Sequence, residues 1–185
     1  MKNNPNDMMC LDLFLSNSDK KDHQKTIDAL KPISNKGLGI MSWGIHDFFY
    51  GSEVYNDLNS IRSLSKNYQW ENNFNSILKE NTYEALVITN FNKKVIWVNN
   101  GFQKMTGYDS KFIIDKSPNV LQGKNTSEVS KQRIRKRLLE NKPFKEIIIN
   151  YRKDNTEYKC ELHVFPLYTK NSKTTHFLAL EKEAV

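Results

Sequence analysis

LVITNFNKKVIWVNNGFQKMTGYDSKFIIDKSPNVLQG, Leu86 to Gly123, changes its hydrophobic period twice. From Glu84 the runs EALVITN and VIWVNN flank the turn FNKK, and short β-branched runs around such a turn predict a hairpin. Asn100 or Asn99 then caps a short helix, GFQKMTGY, with Phe102 and Met105 on one side and Gly107 suited to a left-handed C-terminal cap. Ser110 or Asp109 opens another helical turn, which Pro118 is expected to end, and the polar loop NVLQGKNTS follows.

Toward the C-terminus, Thr126 to Lys142 reads as a helix with Val129, Ile134, Leu138 and Leu139 near one face and Pro143 as its stop. Three strands are then expected: Phe144 to Arg152, Tyr158 to Pro166 after the turn KDNT, and His176 to Lys182 after the loop YTKNSKTT. Five strands with helices gathered between the second and third predict an α+β fold on an antiparallel sheet. Alternation separates two faces, and both carry apolar side chains: Tyr158, Cys160, Leu162 and Val164 oppose His163 and Phe165, while Phe177 and Ala179 oppose Leu178 and Leu180. One face must meet the central helices, and the other needs a second cover.

The cover is upstream. Ser52 is placed to cap a helix in which Val54, Leu58, Ile61, Leu64 and Tyr68 recur at steps of three and four, followed by a second helical stretch with Trp70, Phe74, Ile77 and Leu78. Ser52 to Lys79 is therefore expected to lie over the sheet as a lid or to form a dimer contact. Before it, Gly37 to Ser52 reads as an irregular segment pinned by Trp43, Phe48, Phe49 and Tyr50. Farther upstream lie an apolar patch from Met8 to Leu15 and a helix that Ser18 or Asp19 caps and Pro32 ends.

Composition limits the function classes. With 185 residues, 38% of them hydrophobic, one ordinary core plus an extension is expected. No apolar run approaches the roughly 20 residues of a membrane helix, and the N-terminal MMCLDLFL is broken by Asp12, so a cytoplasmic protein without membrane association is the expectation. Cys10 and Cys160 lack metal or redox spacing, and His23, His46, His163 and His176 lack the spacing of a zinc site, so no metal is expected. The net charge of +7 concentrates in KQRIRKR, Lys131 to Arg137, but neither a base-reading motif nor interleaved aromatics accompany it. That pattern reads as a solvated helix face, with a basic nucleic-acid-associated regulator as the third-ranked reading. No nucleophile elbow, phosphate loop or paired catalytic carboxylates stand out, which argues against an enzyme.

The order hairpin, NNGFQKMTGY, polar helices, long helix and three-strand meander resembles the PAS domain family over Asn81 to Glu183, and NVLQGKNT with NYRKDNTEYKCEL resembles its flavin-binding LOV branch. The resemblance implies a five-stranded antiparallel PAS-type sheet with helices on one face, here with the N-terminal amphipathic helices on the other. Residues 1–51 would be an extension with aromatic anchors, 52–80 the helical lid or dimerisation segment, and 81–185 the PAS-like domain.

In the LOV branch a cysteine forms a light-driven bond to the flavin; Pro118 stands at that position. Ser117 replaces the preceding asparagine, and Asn119 replaces the following phosphate-binding arginine. Gln122, Arg135 and Asn150 match cofactor-contacting positions, whereas Cys160 replaces the second ring-binding asparagine and Glu181 stands where the signalling glutamine would be. Gln122, Arg135, Asn150, Ser117, Asn119, Cys160 and Glu181 are thus the candidate pocket residues. The leading expectation is a non-catalytic sensory or protein-interaction module without a cofactor. Its signal would leave through an unidentified signalling protein, a second copy of the chain or the N-terminal helices, because an output domain would need more chain than flanks the module. The alternative is a receptor for flavin mononucleotide, another flavin or another small ligand, working without a cysteinyl adduct.

Overall fold

The structure, a computed structural model, describes residues 43–184, with side chains from Glu53 onward. By its contacts the chain divides into Met1–Gly44 and Ile45–Val185, and the architecture below concerns the second unit. The expectations for the apolar patch at Met8, the helix ending at Pro32, Cys10 and His23 lie outside the described residues.

The hairpin forms as β1, Ala85–Asn90, and β2, Val95–Val98, in antiparallel register. Its turn is closed by the Asn90 side chain, which accepts a bond from the Lys94 amide at 3.0 Å. Asn99 then does two things at once. Its side-chain oxygen caps α1, Asn100–Thr106, by accepting from the Phe102 amide at 3.1 Å, and it also accepts from the Leu86 amide of β1 at 2.9 Å. Gly107 ends the helix in the left-handed conformation at φ 73°. The packing of this corner leaves no room for a side chain at Gly101, where a Cβ would run into the Glu84 carbonyl oxygen.

Asp109 caps the short α2, Ser110–Ile113. The expectation that Pro118 ends this helix is corrected: the chain leaves the helix at Ile113, Asp115 turns through a left-handed φ of 62°, and Pro118 instead opens a 3-10 turn, Pro118–Leu121. A proline at the first position of a turn gives up an amide that has no partner there, so it serves as a start rather than a stop. Ser127 caps α3, Glu128–Leu139, which precedes β3, Phe144–Tyr151, β4, Glu157–Tyr168, and β5, Thr174–Glu183.

The five strands form one sheet in the order β2-β1-β5-β4-β3, with every neighbouring pair antiparallel. The last strand therefore occupies the centre. Its inward side chains Phe177, Ala179 and Glu181 face the α1–α3 side together with Val87, Ile148, Tyr158, Cys160 and Val164. On the other face Leu178 and Leu180 join Leu86, Ile88 and Leu167.

Two upstream helices cover that second face, α4, Trp43–Tyr68, and α5, Phe74–Glu80. Their Ile61, Phe74 and Leu78, with Trp70 between the helices, form one cluster with the outward leucines of β5, and Val54, Leu58 and Leu64 pack against it. The link between them is stitched to the sheet as well. Trp70 bridges to Thr169, and the Asn72 amide donates to the Pro166 carbonyl at 3.0 Å while its oxygen accepts from the Tyr168 amide at 3.1 Å. The lid spans β1, β5 and the end of β4 but not the edge strand β3, where Ile147 remains 52% exposed.

Two expectations for this region are corrected. Trp43 to Ser52 is not irregular but continues α4, and Ser52 is inside the helix rather than at its cap. Once a helix is nucleated by a buried stripe, extending it costs less than starting it, so Gly44 and Gly51 are tolerated at roughly 1 kcal/mol each. Trp70 likewise precedes α5, which starts at Phe74 under an Asn73 cap.

If α4 belongs to the core, Ile61→Ala destabilises the protein by about 2–5 kcal/mol, because Ile61 is completely buried. Tyr55→Ala, at a residue 62% exposed on the same helix, is expected to stay within about 0.5 kcal/mol. Denaturant unfolding compares the two, and equally small effects would remove α4 from the core.

Candidate functional site

Between the inner face of the sheet, α3 and the 3-10 turn lies a cavity of about 210 Å³. Six of the seven candidate residues line it: Ser117, Asn119, Gln122, Arg135, Asn150 and Glu181. Cys160 does not. Its side chain is fully buried in the hydrophobic cluster of Val87, Phe102 and Ile148, directly opposite Ile148 of β3, and this corrects the expectation that it belongs to the pocket wall. The sequence signal for Cys160 is its place on the inward face; in the structure that place is filled by packing in this cluster, and from β4 the cavity is lined by Leu162 and Val164.

Each lining group is positioned by local chemistry. Ser117 caps the 3-10 turn by accepting from the Asn119 amide, and the Gln122 amide donates to the Asn119 oxygen at 3.0 Å, so these three residues satisfy one another along one side of the cavity. Thr126 holds the loop to β3, donating to the Ile149 carbonyl at 2.7 Å and accepting from the Gly123 amide at 2.9 Å. Gly123 packs against the Tyr151 ring so closely that a Cβ has no space. Tyr151 in turn receives the Asn125 amide at 3.0 Å and donates to Glu157.

The sheet contributes two buried polar groups, Asn150 at 5% exposure and Glu181 at 4%. Among the described residues, the one hydrogen bond to the Glu181 carboxyl comes from the Cys160 thiol, a weak donor at 3.8 Å, and it reaches Oε2 only. Burial pushes the Glu181 carboxyl up from the ordinary 4.5 to about 7, against a small opposing effect of the Cys160 contact. Burial and the neighbouring Glu181 push the Cys160 thiol far upward, which keeps it protonated and unreactive.

The lining carries three cations, Lys131 and Arg135 on α3 and Lys93 in the hairpin turn. Lys131 pairs with Glu128 at 2.6 Å, whereas Arg135 is exposed and has no hydrogen bond or ion pair among the described residues. Two of the three remaining cations of KQRIRKR pair elsewhere: Arg133 forms a two-pronged contact with Glu146, at 2.8 and 3.1 Å, and Arg137 meets Glu140 at 3.7 Å. Exposed pairs of this kind add little stability. They do place carboxylates along the basic face, which weakens it as a nucleic-acid footprint, and the Arg133 contact answers the charge of Glu146.

A second polar cluster, read from sequence only as a helix cap, ties the lid to the sheet. The Asn99 amide donates to Asp57 of α4 at 2.9 Å, and the Tyr83 hydroxyl donates to the same carboxylate oxygen at 3.2 Å. Burial raises the Asp57 carboxyl above its ordinary value, while these two bonds act to lower it. Lys104 of α1 adds an exposed bond to Glu53 at 2.6 Å.

The PAS domain family model matches residues 84–182, more than half of the chain. The chain is 32% identical over 92 residues to a blue-light photoreceptor of Listeria innocua, covering 50% of this chain and 36% of that protein. It is 29% identical over 123 residues to a blue-light-activated histidine kinase of Brucella anthropi, covering 65% of this chain and 25% of that one. The chain thus spans about a third or less of the length of these curated relatives. Among solved structures, the LOV domain of the Erythrobacter litoralis EL346 blue-light activated histidine kinase superposes with a TM-score of 0.52 at 25% identity, covering 56% of this chain and 97% of that one. The light-state LOV structure of Aureochrome1 gives 0.55 at 20% identity, with 60% and 89% covered, and shows the same fold. Among the described residues, no helix is long and apolar enough to cross a membrane.

The raised Glu181 carboxyl has a stability consequence. It is protonated in the folded protein while an unfolded glutamate has already ionised, so the penalty for burying its charge is absent below pH 4.5 and grows as pH rises toward about 7. The full penalty is about 3 kcal/mol by the value of a pKa unit. Glu181→Gln removes it, so the variant is expected to gain over the parent chain at pH 8 and much less at pH 5. Thermal unfolding at both values checks this, and an equal effect at the two would contradict it.

Proposed function

Because the chain belongs to the PAS domain family, a family of sensory modules in signal transduction, we propose that the state of its cavity sets how α4 and α5 pack on the opposite face of the sheet. The observation that carries this reading is the alternation of β5. Phe177, Ala179 and Glu181 line the cavity, while Leu178 and Leu180 between them are buried against Ile61, Trp70, Phe74 and Leu78. A displacement on one side of this strand therefore reaches the other within a single residue. The Asp57 contact to Asn99 provides a second link, joining α4 to the start of α1.

The module acts without chemistry of its own, and the rearranged lid is read by a signalling protein or by a second copy of the chain. A ligand shifts such an equilibrium only by its difference in affinity for the two lid arrangements, and couplings of about 1–3 kcal/mol are typical.

The second reading, a flavin receptor without adduct, is favoured by Gln122, Arg135 and Asn150, which all line the same cavity. The residues as a set do not fit a flavin. Pro118 lines the cavity where the bond-forming cysteine would be, Asn119 gives no cation to a phosphate, and Glu181 puts an acid on the floor. The room of about 210 Å³ is also below the roughly 300–1,000 Å³ of pockets that take drug-sized ligands, so three fused rings with a ribityl phosphate exceed it.

Two measurements test these readings. Ala179→Leu, which fills the cavity from β5, is expected to change hydrogen exchange in α4 and α5 more than the surface change Lys159→Ala does; unchanged lid amides would sink the proposed coupling. The absorption spectrum of the purified protein is expected to lack a structured flavin band, before and after addition of flavin mononucleotide. A band with vibrational structure would establish the receptor reading instead.

A further inference from the structure

The charges of the cavity are sorted along its depth. Among the described lining residues Glu181 is the one acid, and it is held in the middle of the sheet between Ala85 and Leu162. The bases stand on the opposite side, Lys131 and Arg135 on α3 and Lys93 in the hairpin turn. Between them lie apolar side chains, Leu121, Ile134, Ile148, Leu162, Val164 and Phe177.

The acid is under-satisfied. Its Oε1 has no hydrogen bond among the described residues, and its Oε2 has only the distant thiol of Cys160. A buried carboxyl left this way costs free energy that a matching donor would recover. Asn150, on the same inner face of the sheet, adds an amide with both donor and acceptor capacity. Size sets the remaining limit. A cavity of about 150 Å³ takes benzene, so about 210 Å³ admits one ring with small substituents.

We propose that the cavity receives a single-ring ligand with a hydrogen-bond-donating nitrogen group at its inner end, bound by Glu181 and Asn150, and an anionic group at its outer end, facing Arg135 and Lys131. This rests on the reading of the cavity as the sensory site. The inner contact is the selective one, because a charge-assisted bond to a buried carboxyl is worth more than an exposed cation at the rim. The titratable and charged groups around the Glu181 carboxyl are Cys160 and Tyr158 from β4 and, across the cavity, Lys131 and Arg135 of α3 and Lys93 of the hairpin turn. The raised carboxyl of Glu181 also links binding to proton release: a cationic donor favours the ionised form, so affinity increases as pH rises through about 7.

Titration calorimetry of the full chain with 4-amidinobenzoate, terephthalate and flavin mononucleotide tests the assignment. The expected result is binding of 4-amidinobenzoate and none of terephthalate, in which a second carboxylate replaces the amidine. Glu181→Gln weakens amidinobenzoate binding about ten- to hundredfold, the range for hydrogen bonds to charged groups. Arg135→Ala weakens it about two- to fivefold and in a salt-dependent way. Thermal unfolding confirms that both variants are folded. Terephthalate or flavin mononucleotide binding as well as 4-amidinobenzoate, or indifference of the amidine to Glu181→Gln, overturns the ligand class and leaves the cavity as a sensory site. Failure of all three compounds to bind overturns the assignment together with that reading of the cavity.

Discussion

A sheet whose central strand is apolar on both faces must be covered twice, and the rest of this structure follows from that constraint. β5 is the last strand in sequence and the middle strand in space, with neighbours on both sides and leucines or aromatics pointing both ways. Neither face can be left to water at the usual cost of about 25 cal/mol per Å² of apolar surface. The chain meets the demand with two unrelated covers: short polar helices and one long helix on the inner side, and the amphipathic helices α4 and α5 on the outer side.

The two covers differ in kind. The outer one is a close-packed seam of Ile61, Trp70, Phe74 and Leu78 on Leu178 and Leu180, reinforced by hydrogen bonds to the ends of β4 and β5. The inner one is incomplete, since α3 stands off far enough to leave room, and that room holds polar groups a sealed core would exclude. Packing has been given up on one side of a strand whose other side is packed tightly. Such an asymmetry lets a change in the loose layer strain the tight one, because dense interiors transmit displacement rather than absorb it.

Much of this is legible in the sequence. The strand order of the hairpin and meander, the Asn99 and Gly107 caps and the need for an outer cover all follow from local periods and from counting apolar faces, which act over a few residues. The candidate pocket was legible where side chains share an alternating face, as with Asn150 and Glu181. It is not legible at Cys160, which shares that face but packs among Phe102, Leu121 and Ile148 instead of lining the cavity. Pro118 and Trp43 to Ser52 were misread because a proline suits a turn's first residue as well as its boundary, and because a long helix overrides glycines that would break a short one. Lys93 in the cavity wall and Asp57 at Asn99 had no sequence signal, since each depends on contacts between distant elements.

Asn99 is where these strands of the structure meet. One amide side chain caps α1, holds the amide of Leu86 in β1 and donates to Asp57 in α4. A part shared in this way cannot be inherited separately. Genetic lesions at this position will surface as poorly accumulating protein before they can surface as a silent sensor, so screens for signalling defects among stable variants will pass over the residue. Variation in the response is left to positions such as Asp57, which meets Asn99 and Tyr83 from α4, and Lys104, which reaches Glu53 of the same helix.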